Sequence, residues 1–228
     1  MSQDLGRNAI IGTIRRGLKR GPLPTDQQAM LAGRLATHPR HLVPARGQGD
    51  SASQIASFME NVLREFGTVQ RVADFAAVPN AIATYLAGQN IAAEITVSPH
   101  PELQAIPFAE TPLLKVRFGK AEPTDAVTVT QGFAGIAETG TVMMPSGPER
   151  PITNNLLSDT AIIVIRAARI VGAYEDAFDL LRAERAGMPR NVMLITGPSR
   201  SADIEQTLEL GAHGPRSLHV LIVDEASA

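Results

Sequence analysis

Ala161-Ile162-Ile163-Val164-Ile165-Arg166 is the stretch that decides the fold. Five aliphatic residues follow one another and a charge closes the run. A short unbroken run of this kind suits a strand covered on both faces, as strands are inside a parallel sheet. Outward from it, short β-branched runs alternate with helical stretches. Val69–Val72, Ile91–Val97, Ala126–Thr130 and Thr141–Met144 read as strands before it, and Asn191–Ile195 and Leu218–Val223 after it. Asn80–Leu86 (ended by Gly88), Tyr174–Glu184 and Ser201–Leu210 read as helices between them. Such alternation predicts an α/β fold, a largely parallel sheet flanked by helices.

The first 68 residues have a different texture. Residues 4–20 predict a helix with the apolar stripe Ile10, Ile11, Ile14 and Leu18 among Arg7, Arg15, Arg16, Lys19 and Arg20. That pattern fits a solvated surface helix first, with a docking or lipid-surface helix as the alternative. Gly21-Pro22-Leu23-Pro24 stops it. Thr25 with Gln28 predicts a capping box for a second helix that ends before Pro39. Ser51 or Ser53 is expected to cap a third, running to about Phe66 on Ile55, Phe58, Met59 and Val62, with Gly67 as its C′ residue. The expected division is a helical segment over 1–68 packing on the core and an α/β domain over 69–228.

Composition narrows the function. The chain has 228 residues, 44% of them hydrophobic and 4% aromatic, with no Trp. Its core is therefore aliphatic. A formal net charge of -2 leaves no footprint for nucleic acid. No run approaches the ~18 apolar residues of a membrane span, and arginines interrupt the early apolar residues where a signal peptide would need none. A cytoplasmic setting is the expectation. With no cysteine there is no disulfide, no thiolate nucleophile and no thiolate set for an iron–sulfur cluster. The five histidines show no metal-ligand spacing, so no metal is expected.

Two glycine-bearing loops carry the candidate chemistry. The first is Gly135-Ile136-Ala137-Glu138-Thr139-Gly140-Thr141. A carboxylate among small residues can act as nucleophile or base, or orient a substrate hydroxyl; it can equally bond backbone amides and hold the loop. Thr139 and Thr141 add hydroxyls. The second is Thr196-Gly197-Pro198-Ser199-Arg200-Ser201-Ala202-Asp203-Ile204-Glu205. Here a strand end is expected to pass through Gly197 and Ser199 into a helix capped by Ser201, with Arg200 placed to pair with a carboxylate or phosphate. Asp203 in the first helical turn already answers the dipole, so a capped connection without ligand fits too. It is neither a Walker loop nor a dinucleotide fingerprint. His213, in Gly211-Ala212-His213-Gly214-Pro215, is a further loop candidate. His219 opens a strand and is expected to pack. Glu138 is thus the catalytic candidate. Gly135, Thr139, Gly140, Thr141, Gly197, Ser199, Arg200, Ser201 and His213 are the ligand-binding candidates.

These two loops, with Leu210–Pro215, Leu218-His219-Val220 and the early Ala9–Arg15, resemble the LUD domain family in order and spacing. The family pattern after the first loop is Leu-Leu-Pro-x-x-His; here it reads Leu156-Leu157-Ser158-Asp159-Thr160-Ala161, without that histidine. The resemblance implies a fold like the sugar-isomerase, CoA-transferase and formyltetrahydrofolate cyclo-ligase group. It implies a part in oxidation of L-lactate to pyruvate beside two partner proteins that carry iron–sulfur clusters, with no cofactor in this chain. Three functions follow as expectations. One is a non-redox subunit of such a system, binding a small anion or a partner at the two-loop cleft. The second is a free-standing transferase or ATP-dependent ligase using Glu138. The third is a regulatory or scaffold module using the basic first helix.

Overall fold

The computed structural model describes residues 2–19, 21–201 and 209–224. The chain falls into two compact units, 1–41 and 42–228. The first holds α1 (Ser2–Gly17) and α2 (Thr25–Thr37). Arg15 and Arg16 stand in the last turn of α1, where cations answer the negative end of the helix dipole. Ile10, Ile14 and Leu18 are exposed. The capping box expected at Thr25 does not form. Pro24 occupies the N-cap position without a side-chain cap, Thr25 is already helical, and Gln28 donates to the Leu23 carbonyl at 2.6 Å. His38, at φ 46, ends α2.

The second unit begins its regular structure at α3 (Ser51–Arg64), a helix that the sequence groups with the N-terminal segment. Then come β1 (Thr68–Val72), α4 (Val78–Gly88), β2 (Glu94–Val97), α5 (Pro101–Gln104) and β3 (Lys115–Phe118). β4 (Val127–Gln131), β5 (Ala134–Ile136), β6 (Thr141–Pro145), β7 (Thr160–Arg166) and β8 (Ile170–Val171) follow. α6 (Tyr174–Glu184), β9 (Val192–Ile195), β10 (Arg200–Ser201), β11 (Glu209–Leu210) and β12 (Ser217–Val223) complete it. Among these described residues no helix is long and apolar enough to cross a membrane.

Six strands make one wholly parallel sheet in the order β1-β12-β7-β4-β2-β3. β7 lies inside it between β12 and β4, and its first six residues are buried. Successive side chains of a strand point to opposite faces. Ile162 and Val164 therefore join Ile82, Leu86 and Leu103 from α4 and α5 on one face. Ile163 and Ile165 join Phe58 and Val62 of α3 on the other.

A second sheet, in the order β8-β5-β6-β9, covers that other face together with α3. Val142 and Met144 of β6 point into the shared core, while Met143 points out to Leu181 of α6. The run 141–144 and the run 191–195 thus sit in a second layer rather than in the parallel sheet. Two corrections apply to α3. Its N-cap is Asp50, whose carboxylate accepts from Ser53 N at 2.8 Å, in place of Ser51 or Ser53. At its other end Phe66 takes the left-handed conformation, φ 66, expected of Gly67. Phe66 N bonds Leu63 O and Gly67 N bonds Val62 O, which closes a Schellman turn one residue early.

The helix expected over Ser201–Leu210 is also corrected at both ends. Arg200 and Ser201 pair antiparallel with Leu210 and Glu209, and Gly211 N donates to Ser199 O. A β-ladder claims the backbone groups that a helix start would have used. Ala202–Leu208, with Asp203, lie outside the described residues.

His219 packs as expected. It stacks on Tyr85 with ring centroids 4.0 Å apart, and its Nδ1 lies 2.8 Å from Thr68 Oγ1. Burial pushes its pKa down from 6.5 to about 4. The unfolded chain then binds the extra proton first, so stability is full above about 6.5 and falls as pH drops toward about 4. Urea titrations across that window should show the loss in the wild type and a flatter profile in His219→Phe. Ile163→Ala should cost about 2–5 kcal/mol by the cavity left in the core, whereas exposed Leu113→Ala should stay within about 0.5 kcal/mol.

Candidate functional site

The first loop is the tip of a hairpin. Ile136 of β5 pairs with Thr141 of β6, and Ala137–Gly140 turn the corner. Gly140 sits at φ 66, and a Cβ there would lie 2.6 Å from the Asn61 backbone of α3. Asn61 in turn donates from Nδ2 to the Ala137 carbonyl at 2.6 Å. The second loop leaves β9 and meets the same helix end. Gly197 is at φ 70, and a side chain on it would collide with the Glu65 carbonyl. Both turns therefore rest on the last turns of α3.

Hydroxyls join the loops to each other. Thr141 Oγ1 lies 2.6 Å from Thr196 Oγ1 and 3.0 Å from the Tyr174 hydroxyl. Thr139 Oγ1 adds bonds to Thr141 at 2.7 Å and to Tyr174 at 3.2 Å. The segments some sixty positions apart do meet.

Their charged groups have separate partners. Glu138 is buried; its Oε1 accepts from Tyr174 N, the first residue of α6, at 3.2 Å. Its Oε2 accepts no hydrogen bond and stands 3.7 Å from Arg46 Nε. Arg200 lies over the Phe66 ring, 3.4 Å from its centroid, a cation–π contact. No hydrogen bond or ion pair joins Glu138 and Arg200 among the described residues.

The remaining sequence candidates divide. Gly197, Ser199 and His213 line a cavity of about 210 Å³ with Thr196, Met193 and Gly214. Ser199 Oγ accepts from His213 N at 3.3 Å. Gly135 faces the core; a side chain there would press on Ile170 and Phe58 at 3.0–3.1 Å. It and Gly140 pack closely against these neighbours, and among the described residues neither they nor Glu138, Thr139, Thr141 or Arg200 line this cavity. Ser201 belongs to β10. Among the described residues no group of three or more His, Cys, Asp or Glu is arranged to hold a metal.

A second polar cluster was not singled out by the loop motifs. It stands at the carboxyl ends of the parallel strands, where open α/β sheets place their ligands. Gln131, the last residue of β4, accepts from Arg150 Nη2 at 2.7 Å and Nε at 3.0 Å, and donates to Glu102 at 3.1 Å. Arg150 Nη2 is also 2.8 Å from His100 Nε2. Because a guanidinium only donates, His100 carries its proton on Nδ1. Among the described residues that buried Nδ1 has no partner, and neither do Ser98 Oγ and Thr130 Oγ1. Ser98 follows the Val97↔Val129 pair and so stands beside Thr130. Burial, then Arg150, holds His100 below its usual value, and burial lowers Arg150 too.

A parallel sheet flanked by helices and backed by a second sheet places the chain in the α/β class of proteins. The chain belongs to the LUD domain family, which it matches over residues 55–223. It is 42% identical over 99 residues to an uncharacterized protein of Neisseria meningitidis serogroup B, covering 42% of each chain. It is 36% identical over 109 residues to Lactate utilization protein C of Bacillus subtilis, covering 46% of this chain and 45% of that one. With the Macrococcus caseolyticus protein of the same name the identity is 33% over 102 residues, covering 43% and 44%. The matched stretches span less than half the length of these relatives. The crystal structure of a DUF162 family protein from Deinococcus radiodurans superposes with a TM-score of 0.57 at 24% identity, over 77% of this chain and 99% of that one. That likeness concerns the fold alone.

The seat of the second loop is testable. Gly197→Ala should destabilise the protein by about 2–4 kcal/mol, combining left-handed strain with overpacking against α3. Thermal melts of Gly197→Ala and of Gly187→Ala, which has open space around it, provide the comparison.

Proposed function

We propose that this chain serves lactate utilization as a non-redox subunit of an iron–sulfur-containing system that oxidises L-lactate to pyruvate. The observation that carries this reading is membership of the LUD family together with likeness to Lactate utilization protein C. Oxidation of lactate to pyruvate releases two electrons and two protons. With no cysteine this chain offers no thiolate set for a cluster, so in this reading the electrons pass to clusters in the partner proteins. This chain contributes binding. The cavity beside Thr196, Ser199 and His213 supplies two hydroxyls and an imidazole among apolar walls, a setting for a small carboxylate or for a partner's side chain.

Glu138 in this reading is a positioning residue. A nucleophile must reach its substrate, whereas this carboxylate is buried and ties the hairpin tip to the start of α6. The observation favours a clamp over the acyl-carrying role that a free-standing transferase would need.

Deleting the gene in its own organism should abolish growth on L-lactate and spare growth on glucose. Affinity purification of the tagged chain from lactate-grown cells should bring down iron–sulfur proteins. Growth on L-lactate equal to the parent strain would overturn the proposal.

A further inference from the structure

Besides the two-loop cavity, the second unit carries a larger cleft of about 790 Å³. It lies on the turn Gly147–Arg150 and the residues just after it, and across from them on Arg190 and Asn191. Its volume is within the range of sites for cofactor-sized molecules. Lys120, Arg150 and Arg190 all line it, and among the described residues no Asp or Glu does. The chain as a whole has a formal net charge of -2, so a cleft with three cations is a local reversal of sign.

The cations are not alike. Arg150 has a side chain only 10% exposed and is held from behind. Gln131 takes its Nε and Nη2, His100 takes Nη2 as well, and Gln131 is itself anchored on Glu102. The guanidinium is thus fixed before any ligand arrives, which lowers the ordering cost of binding. Glu149 receives a bond from Arg150 Nη1 at 3.1 Å, but that carboxylate is 42% exposed and only partly offsets the charge. Behind Arg150, His100 keeps a buried Nδ1–H without a partner, so the network is short of acceptors rather than donors. Lys120 and Arg190 are exposed and carry no side-chain ion pair among the described residues. The turn that presents Arg150 is itself closed by reciprocal backbone bonds between Gly147 and Arg150.

We propose that this cleft binds an organic anion carrying a diphosphate. A monocarboxylate such as lactate brings one negative charge and would leave two of the three cations unanswered. A diphosphate brings at least two, with oxygens spread widely enough to meet a fixed guanidinium and two mobile side chains at once. The apolar part of the cleft, Pro148, Pro151 and Ile152, suits the organic portion of such a molecule. The site is separate from the cavity at Thr196 and Ser199, and the inference does not rest on the lactate reading.

Calorimetric titration of the full chain with ADP, pyrophosphate, inorganic phosphate and L-lactate tests it. ADP and pyrophosphate should bind saturably and more tightly than inorganic phosphate, and ADP should exceed pyrophosphate through its organic part. The double variant Lys120→Ala/Arg190→Ala removes two exposed side chains, should melt like the wild type, and should weaken ADP binding by about tenfold or more. Arg150→Lys keeps the charge but loses the bonds to Gln131 and His100 that fix it in place, and should also weaken ADP by about tenfold. No saturable binding of ADP or pyrophosphate at millimolar concentration would overturn the proposal. So would ADP binding that the double variant leaves unchanged, or L-lactate displacing ADP at equal concentration.

Discussion

Two glycines at positive φ, Gly140 and Gly197, let two distant turns rest on the end of one helix. The rest of the two-loop region depends on that seating. Once the turns touch α3, Thr141 and Thr196 come within hydrogen-bond reach, and Tyr174 completes a hydroxyl cluster that ties both turns to α6. Any side chain at either glycine would wedge between turn and helix, because the obstructing atoms are backbone and have nowhere to go. The helix end is shaped for the same purpose. Phe66, rather than a glycine, takes the left-handed position and presents its ring to Arg200. A bulky residue at positive φ stores strain, and here the cation–π contact acts against it.

Charge in this molecule is placed by layer. The two faces of the parallel sheet are aliphatic, filled from α4 and α5 on one side and from α3 and β6 on the other. Polar groups are driven to the ends of the strands, where the sheet runs out and the covering layers part. Glu102, Gln131, Arg150 and Arg166 gather at the carboxyl edge, with Arg166 bonded to Glu102 at 2.6 Å. Buried charges survive there because each is paired or hydrogen-bonded. The cationic cleft opens where that network meets the turn before Arg150, and no described carboxylate lines it.

Part of this was legible from the chain alone. Helix Tyr174–Glu184 has the bounds that its amphipathic pattern predicts, and the aliphatic run at 161–166 is the doubly buried strand that it reads as. The second sheet was not legible. β5 and β8 have three and two residues, too short to show a period of two. At the two ends of the helix expected over Ser201–Leu210 the described residues pair as strands, because a good N-cap residue is only a local preference. In the first glycine loop, Gly135 and Gly140 pack closely against Phe58, Ile170 and α3, contacts that no local motif announces. Arg150 lies outside both glycine loops. Its supports, His100 and Gln131, lie 50 and 19 positions away, and no spacing rule links them.

Local patterns in the sequence were enough for the α/β class, the aliphatic core, the absence of thiol chemistry and the likeness to the LUD family. The first three follow from composition and from short-range periodicity, which the chain carries wherever it folds; the likeness rests on the order and spacing of the loop motifs. Which side chains share a pocket was decided by tertiary structure alone. Glu138 went to Arg46 and α6, Arg200 to Phe66, and Arg150 to the carboxyl edge of the sheet. The physical reason is that hydrogen bonds and ion pairs act over a few ångströms in space, and only the packing of α3, the two sheets and α6 sets those distances.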